Sequence, residues 1–224
     1  MTDAHCHLLS GCSRHFICGE TPIGENDIRF IGYHPWDSSS YDDKAKDALR
    51  SRLAANTKLG VGEIGLDRLY SRIIPPAMRE AFSDQLDAAS SFSRPVVLHG
   101  AKCWGEVVKA CRPFAGSIPA FLFHGFSRSD GLIPDIASIN GFISIGPSLL
   151  NDHAVNYRSL AKKIPLEMVL LETDKTAETP PDAPGISEIL VKLSQIRLLE
   201  IDELKEAIKR NAERFISSLQ GDAQ

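Results

Sequence analysis

Short apolar runs recur along the chain, and most of them are followed by a segment with the spacing of an amphipathic helix. Several runs are rich in Val, Ile and Phe, as the buried strands of parallel sheets usually are. Alternation of such strands with helices favours an α/β fold with a parallel sheet. The predicted strands cover residues 2–7, 14–19, 28–34, 58–66, 95–99, 119–124, 141–146 and 167–173.

The connections between the predicted strands differ in length. Apolar residues three or four positions apart predict helices over residues 78–92, 104–111, 154–164, 186–193 and 204–216. The first two connections, residues 8–13 and 21–27, are too short to contain a helix. The pattern therefore predicts a (β/α)₈ TIM barrel, shortened because its first two outer helices are missing. A doubly wound sheet is the alternative fold, since alternation alone does not show that the sheet closes.

Length and composition agree with a globular protein. The chain has 224 residues, of which 43% are hydrophobic and 24% charged, and we expect a single domain over residues 1–224. Its 25 basic and 29 acidic residues give a net charge of −4. A protein that bound nucleic acid mainly by neutralising phosphates would carry a basic excess. The charge neither supports nor excludes a nuclease that relies on metal ions.

Cysteine usage and the apolar segments bear on the cellular compartment. The five cysteines are odd in number and form no CxxC pair, which does not suggest a disulfide framework. The N-terminal segment lacks the basic and apolar regions of a signal peptide. No apolar run reaches the ~18 residues that span a bilayer. We expect a cytoplasmic protein with no membrane association, and no obligate protein partner is evident.

Histidines and acidic residues stand where the predicted strands end. In a (β/α)₈ barrel the carboxyl ends of all strands meet at one face, where active sites are built. Imidazoles mixed with carboxylates suit a divalent cation. The sequence therefore predicts a metal site at this face, formed by residues from His5, His7, His34, Glu63, His99, His124 and Asp174.

Each of these residues has an ordinary explanation when it is taken alone. A lone histidine is more often a hydrogen-bonded core or surface residue, and Glu63 could be an ion-pair partner. Those explanations do not account for the placement of all these residues at the ends of successive strands. Asp67 and Glu172 are candidates for residues that orient ligands, and His15 and His153 are predicted to be surface or ligand-orienting residues.

Candidate substrate contacts follow the strand ends as well. Arg68, Lys102 and Arg128 could contact a phosphate, although a solvated face is about equally consistent with each. Trp36 and Tyr33 could stack on a nucleobase, but packing is the more common use of such side chains.

Several short motifs, in this order, give the chain a resemblance to a known family. They are DAHCH at residues 3–7, GYHPWD at 32–37, GEIGLD at 62–67, LHG at 98–100, FHGFS at 123–127, LLETD at 170–174 and NAERF at 211–215. Together they resemble the TatD family of metal-dependent deoxyribonucleases, which belongs to the amidohydrolase-like TIM barrel superfamily.

The resemblance implies a dinuclear site with two divalent metal ions, which could be Mg, Mn or Zn. One ion would be held by His5, His7, Glu63 and Asp174, and Glu63 would bridge to a second ion held by His99 and His124. Asp174 and Glu63 would be catalytic, with a metal-bound hydroxide as the nucleophile. His34 would contact a substrate phosphate.

The resemblance further implies a deoxyribonuclease, a hydrolase of phosphodiester bonds that removes 3′-terminal nucleotides from DNA ends or nucleotide fragments. One alternative is a small-molecule hydrolase of the amidohydrolase type, acting on an amide, lactone or phosphoester. Related barrels of that type often bridge their metals with a carboxylated lysine, so Glu63 favours the nuclease. The other alternative is a non-catalytic, metal-binding scaffold protein.

Three positions depart from the family pattern. Ala101 stands where relatives usually have an arginine, Arg128 where they have a glycine, and Lys175 where an apolar residue is common. All three concern substrate contacts or the scaffold, and none concerns the six ligand candidates.

Overall fold

A computed structural model describes residues 1–127 and 130–219 of the chain. Among these residues, eight strands form one sheet in which each strand pairs in parallel with the next along the chain. The strands are β1 (Thr2–Cys6), β2 (Arg14–Cys18), β3 (Ile28–Ile31), β4 (Gly60–Asp67), β5 (Val96–Ala101), β6 (Phe121–Phe123), β7 (Gly141–Ile145) and β8 (Val169–Leu171). The sequential order confirms the TIM barrel, nearly closed, and the doubly wound alternative is wrong.

Helices follow the later strands. They are α1 (Asp43–Ala55), α2 (Pro76–Ser91), α3 (Trp104–Cys111), α4 (Ile133–Ser138), α5 (Val155–Lys163), α6 (Ile186–Arg197) and α7 (Ile201–Phe215). Within the described segments 7–13 and 19–27 no helix forms, which confirms the shortened barrel. Of the helices in the described parts of the chain, none is both long and apolar enough to cross a membrane.

Helix α1 was not predicted from the periodicity. Its buried face consists of Ala45, Leu49 and Leu53, a single row spaced four residues apart, and the other positions are polar or charged apart from three alanines. The signal that marks its start is a cap, because the carboxylate of Asp42 accepts a hydrogen bond from the backbone N–H of Ala45 at 3.0 Å. So narrow an apolar row is easily read as a loop.

Strand β3 ends three residues earlier than predicted. The backbone N–H of Tyr33 donates to Oε1 of Gln85 at 2.7 Å, and Nε2 of Gln85 donates to the carbonyl of Tyr33 at 3.2 Å. Gln85 lies on α2. A helix side chain therefore satisfies backbone groups that a neighbouring strand would otherwise pair, and the chain leaves the sheet.

Contacts beyond the last strand close the barrel between β8 and β1. The backbone N–H of Asp174 donates to the carbonyl of His5 at 3.0 Å, and that of His7 donates to the carbonyl of Lys175 at 2.9 Å. Asp3, fully buried on β1, accepts from the N–H of Thr173 at 3.0 Å and from its hydroxyl at 2.6 Å. One carboxylate thus ties the first strand to the segment after the last.

The interior below this closure is filled with aromatic rings. Phe215, from α7, lies 5.6 Å from the ring of Phe16 and 5.8 Å from that of Phe30, and it meets Phe142 of β7 at 5.7 Å between centroids. These strands stand on different sides of the barrel. The last helix therefore packs a ring between them, and burial of such a side chain stabilises the fold by ~1.5–3 kcal/mol.

We expect Asp3→Ala to lower the free energy of unfolding by about 1.5–3 kcal/mol, because hydrogen bonds to a charged group are lost and the Thr173 groups lose their acceptor. Asp3→Asn keeps an acceptor oxygen and should be milder. Urea denaturation measures both, with Asp43→Ala as the control, since Asp43 is an exposed acid on α1. Equal stability of Asp3→Ala and the control would contradict the role of Asp3 in closure.

Candidate metal centre

The residues predicted to form a metal site lie together at the carboxyl ends of the strands. Because every strand of the sheet runs in the same direction, side chains at or just after the strand ends share one mouth of the barrel. Potential ligand atoms lie within 4.8 Å of one another in three overlapping groups: His5, His7 and Asp174; His5, Glu63 and His124; and His34, Glu63 and His99.

One carboxylate oxygen of Glu63, Oε2, faces residues at the end of β1 and in the segment after β8. It lies 3.3 Å from Nε2 of His5 and 3.5 Å from Nε2 of His7. Oδ1 of Asp174 lies 3.4 Å from the same atom of His5 and 3.9 Å from that of His7. Two imidazoles and two carboxylates thus surround one point.

The other carboxylate oxygen of Glu63, Oε1, faces the strands on the opposite side. It lies 2.6 Å from Nδ1 of His99 and 2.7 Å from Nε2 of His124. Nε2 of His34 is 3.6 Å away. The carboxylate of Glu63 therefore separates two groups of imidazoles, with one oxygen directed to each.

A buried nitrogen in the first group lacks a hydrogen-bond partner among the described residues. Nε2 of His5 is shielded from solvent and forms no hydrogen bond within the described residues. Buried polar atoms are normally paired. This nitrogen points toward the carboxylates of Glu63 and Asp174 at distances that are long for hydrogen bonds. Nitrogen and oxygen donors of this kind around one point fit a divalent cation.

The buried charges around Glu63 shift one another's pKa values. Burial alone would raise the pKa of Glu63, but the positive charges of His124 and His5 hold the pKa of this carboxyl well below its usual range. Burial would likewise lower the pKa of His124, whereas the carboxylate of Glu63 raises it to about 9. Positive charge from His5 and His124 therefore offsets the buried carboxylate. A divalent cation would supply such charge, and its binding would compete with protons for the imidazole nitrogens.

Two further carboxylates lie behind the histidines of the second group, on the side away from Glu63. Oδ2 of Asp67 lies 3.1 Å from Nε2 of His99. Oε2 of Glu172 lies 3.6 Å from Nδ1 of His124, and it also accepts from the hydroxyl of Ser144 at 2.5 Å. The hydrogen bond with Asp67 fixes the ring of His99 so that its opposite nitrogen faces Glu63, whereas Nδ1 of His124 forms no hydrogen bond among the described residues.

Cys18 performs the corresponding role for His5 and was missed in the sequence. Its Sγ atom lies 3.6 Å from Nδ1 of His5, and both side chains are buried. No motif marks this cysteine. The available signal is its period-two relation to Phe16 on β2, which places both on the inward face of the barrel.

Asp174 lies at the edge of the mouth. Its side chain is 49% exposed, while His5 is fully buried. Its backbone has φ 51°, a left-handed conformation that is unusual for a residue other than glycine. Asp174 is therefore the carboxylate of the first group that solvent and a substrate can reach.

Two of the three predicted substrate contacts fall beside the site. His34 packs edge to face on His99, with ring centroids 4.6 Å apart. Lys102 is exposed and lines a cleft of about 670 Å³ that also includes His99 and His124. Arg128 lies outside the described residues.

The remaining candidate side chains lie in other environments. Arg68 pairs with Glu106 at 2.5 Å. His15 is buried, not at the surface, and its Nδ1 lies 2.8 Å from Oδ1 of Asp27. It lies on β2 nearer the amino end of the strand than Cys18, outside the three ligand groups. His153 is exposed, which agrees with the prediction of a surface residue and not with that of a ligand-orienting one.

Comparison with known proteins agrees with this fold. The family model described as TatD related DNase matches residues 24–217. The Bacillus subtilis protein YabD, named an uncharacterized metal-dependent hydrolase, is 21% identical over 192 residues, which are 83% of this chain and 75% of that protein.

The 3′-5′ ssDNA/RNA exonuclease TatD of Yersinia pseudotuberculosis is 28% identical over 152 residues, which are 67% of this chain. The matched part is 58% of the length of that exonuclease. The crystal structure of YjjV, a TatD homologue from Escherichia coli, shares the fold with a TM-score of 0.81 at 20% identity and covers 96% of both chains.

The family model extends over most of the chain, and the fold is that of a TatD homologue. The chain therefore belongs to the TatD-related DNase family and is a metal-dependent hydrolase.

Proposed function

We propose that this hydrolase is a nuclease that cleaves phosphodiester bonds at the 3′ ends of DNA or of nucleotide fragments, with two divalent cations at the barrel mouth. The observation that carries the proposal is the position of Glu63. Its Oε2 faces His5 and His7, and its Oε1 faces His99 and His124. A carboxylate with one oxygen directed to each of two donor groups suits a ligand shared by two cations.

The ligands divide between the two groups. His5, His7 and Asp174 would hold one cation and His99 and His124 the other, with Glu63 shared between them. When bound, the cations supply positive charge that favours deprotonation of water and stabilises charge developing on a phosphate. Mg, Mn and Zn are the candidates for this role.

The residues of the chain contribute proton transfer and orientation. Asp174 is half-exposed at the mouth, so its carboxylate can orient an attacking water and accept its proton. Asp67 holds His99 in place, and Glu172 lies beside His124. His34 lies beside Glu63 and Lys102 lines the neighbouring cleft, and both would contact a substrate phosphate. Arg128 is proposed as a third phosphate contact on the sequence argument alone.

Support for a nucleic acid substrate comes from the relatives. The Yersinia relative is named an exonuclease of single-stranded DNA and RNA. The net charge of −4 agrees with few direct phosphate contacts, so the cations would carry most of the attraction for the phosphate. Such a site suits the terminal nucleotide of a strand, whereas binding along a strand would require a long basic groove.

The proposed function is tested with a substrate panel that contains single-stranded DNA, duplex DNA, RNA and small aryl esters, each with Mg²⁺, Mn²⁺ or Zn²⁺. We expect release of mononucleotides from single-stranded DNA with a free 3′ end, and no release when that end is blocked by an inverted nucleotide. Hydrolysis of the small esters without cleavage of nucleic acid would contradict the nuclease and favour the small-molecule alternative.

We expect Asp174→Asn to reduce nuclease turnover by at least ~10²–10⁴-fold, because the amide cannot accept a proton from water. The substitution keeps the size of the side chain and one ligand oxygen at an exposed site, so folding should change little. Steady-state kinetics on a labelled oligonucleotide, paired with metal analysis, measures the effect.

Lys102→Ala is the matched variant for this comparison, since Lys102 lies at the same mouth outside the six ligands. It should raise KM and leave metal content intact. Near-normal turnover of Asp174→Asn at saturating metal would contradict the mechanism.

We expect divalent metal at ~100 times its Kd to raise the Tm of the unaltered protein by about 5–10 °C for each bound ion, because a ligand that binds only the folded state stabilises it. Glu63→Gln should lose most of this rise, since the substitution weakens a ligand shared by both ions. Thermal denaturation with and without chelator measures the change in Tm that metal causes. Glu20→Gln serves as the control, because Glu20 is exposed. An undiminished rise in Glu63→Gln would rule out the shared ligand.

A further inference from the structure

Two aromatic side chains form an exposed surface beside the candidate metal centre. Trp36 follows β3 and Tyr70 follows β4, and their rings stack with centroids 5.9 Å apart and an interplanar angle of 22°. Trp36 is 55% exposed and Tyr70 61%. We call this pair the Trp36–Tyr70 platform. Large aromatic side chains with so much exposed area often mark binding sites.

Asp67 holds the platform in place. Its Oδ2 accepts a hydrogen bond from Nε1 of Trp36 at 2.7 Å. Its Oδ1 accepts from the backbone N–H groups of Leu69 at 2.6 Å and Tyr70 at 2.9 Å. One buried carboxylate therefore holds the Trp36 ring and the backbone of Tyr70, and both rings remain open to solvent. Because the Trp36 ring is already ordered, a ligand that stacks on it loses less conformational freedom on binding.

The platform is adjacent to the metal centre. Oδ2 of Asp67, which binds the indole, also lies 3.1 Å from Nε2 of His99. The indole packs edge to face on His34 at 4.6 Å between centroids, and His34 lies 3.6 Å from Oε1 of Glu63. A group bound to His34 and the second donor group would therefore have the aromatic surface next to it.

We propose that the Trp36–Tyr70 platform is a stacking subsite for a nucleobase of the substrate, next to the phosphate that the centre cleaves. This inference rests on the proposed nuclease function. A nucleobase is a flat π-system tethered to a phosphate, which matches an open aromatic face beside a phosphate-binding site. Stacking uses the face that every base has, so the subsite would add affinity without strong preference for one base.

The charged surroundings favour a nucleotide over a protein surface as the occupant. Beyond His34, the neighbouring cleft carries the exposed Lys102 together with His99 and His124. Cationic and imidazole groups next to an aromatic face complement a base with its phosphate. A protein partner would instead be expected to need a larger continuous apolar area.

The test measures binding with two probes. One is a short oligothymidylate whose 3′-terminal linkage is a phosphorothioate, which slows hydrolysis. The other is the same oligonucleotide with abasic residues in place of the last two nucleotides. The chain has two tryptophans, and Trp104 is buried, so quenching of indole fluorescence reports mainly on Trp36. Binding is measured in parallel by anisotropy of a 5′ label, with Mn²⁺ present.

We expect the unaltered protein to bind the base-containing probe about 5- to 150-fold more tightly than the abasic probe, the range found for loss of a base–aromatic stack. In Trp36→Ala this ratio should fall close to one. Trp36→Phe keeps an aromatic face and loses the hydrogen bond to Asp67, so it should retain most of the ratio. Val191→Ala, an exposed apolar residue on α6, should leave the ratio unchanged.

The remaining outcomes separate this proposal from the proposed function. If the protein hydrolyses unmodified DNA and binds both probes equally, the platform is not a base subsite and the nuclease stands. If the ratio is high and persists in both Trp36→Ala and Tyr70→Ala, the base stacks elsewhere and the proposal is wrong. If Trp36→Ala dissociates a dimer and leaves the ratio unchanged, the platform is a contact between two copies of this chain. Failure to bind or hydrolyse either oligonucleotide would overturn both proposals.

Discussion

The carboxylate of Glu63 imposes an electrostatic requirement on the mouth of the barrel. It is 6% exposed, and a buried carboxylate is costly unless positive charge or hydrogen-bond donors surround it. Imidazoles from β1, β5 and the segment after β6 supply those partners, and His5 and His124 also hold the pKa of Glu63 low. The same arrangement leaves Nε2 of His5 without a hydrogen bond among the described residues. Divalent cations would meet both needs, since they supply charge to Glu63 and a partner to His5.

The closure of the barrel and the candidate centre depend on the same segment. Asp174 belongs to the group around Oε2 of Glu63, and its backbone N–H donates to the carbonyl of His5. One residue earlier, Thr173 is bound by the buried carboxylate of Asp3. Ligands contributed by the first and last strands are therefore kept in register by the contacts that close the sheet.

The sequence was sufficient to predict the barrel and the convergence of its polar strand ends, because both follow from local patterns. Apolar runs mark buried strands, and the residue after each run is at the mouth wherever the strands are parallel. Features that depend on packing between distant segments were not predictable. Cys18 behind His5 carries no motif, and the bond from Trp36 to Asp67 joins the segment after β3 to the last residue of β4. Helix α1 has too narrow an apolar row to stand out from its polar residues.

The central claim is that Glu63 is shared by two divalent cations, and anomalous diffraction from crystals grown with Mn²⁺ tests it most directly. The account predicts two anomalous peaks, one beside Oε2 of Glu63 with His5, His7 and Asp174 as ligands, and one beside Oε1 with His99 and His124. Absence of any peak in these groups at saturating Mn²⁺, or a bound ion that Glu63 does not contact, would contradict it.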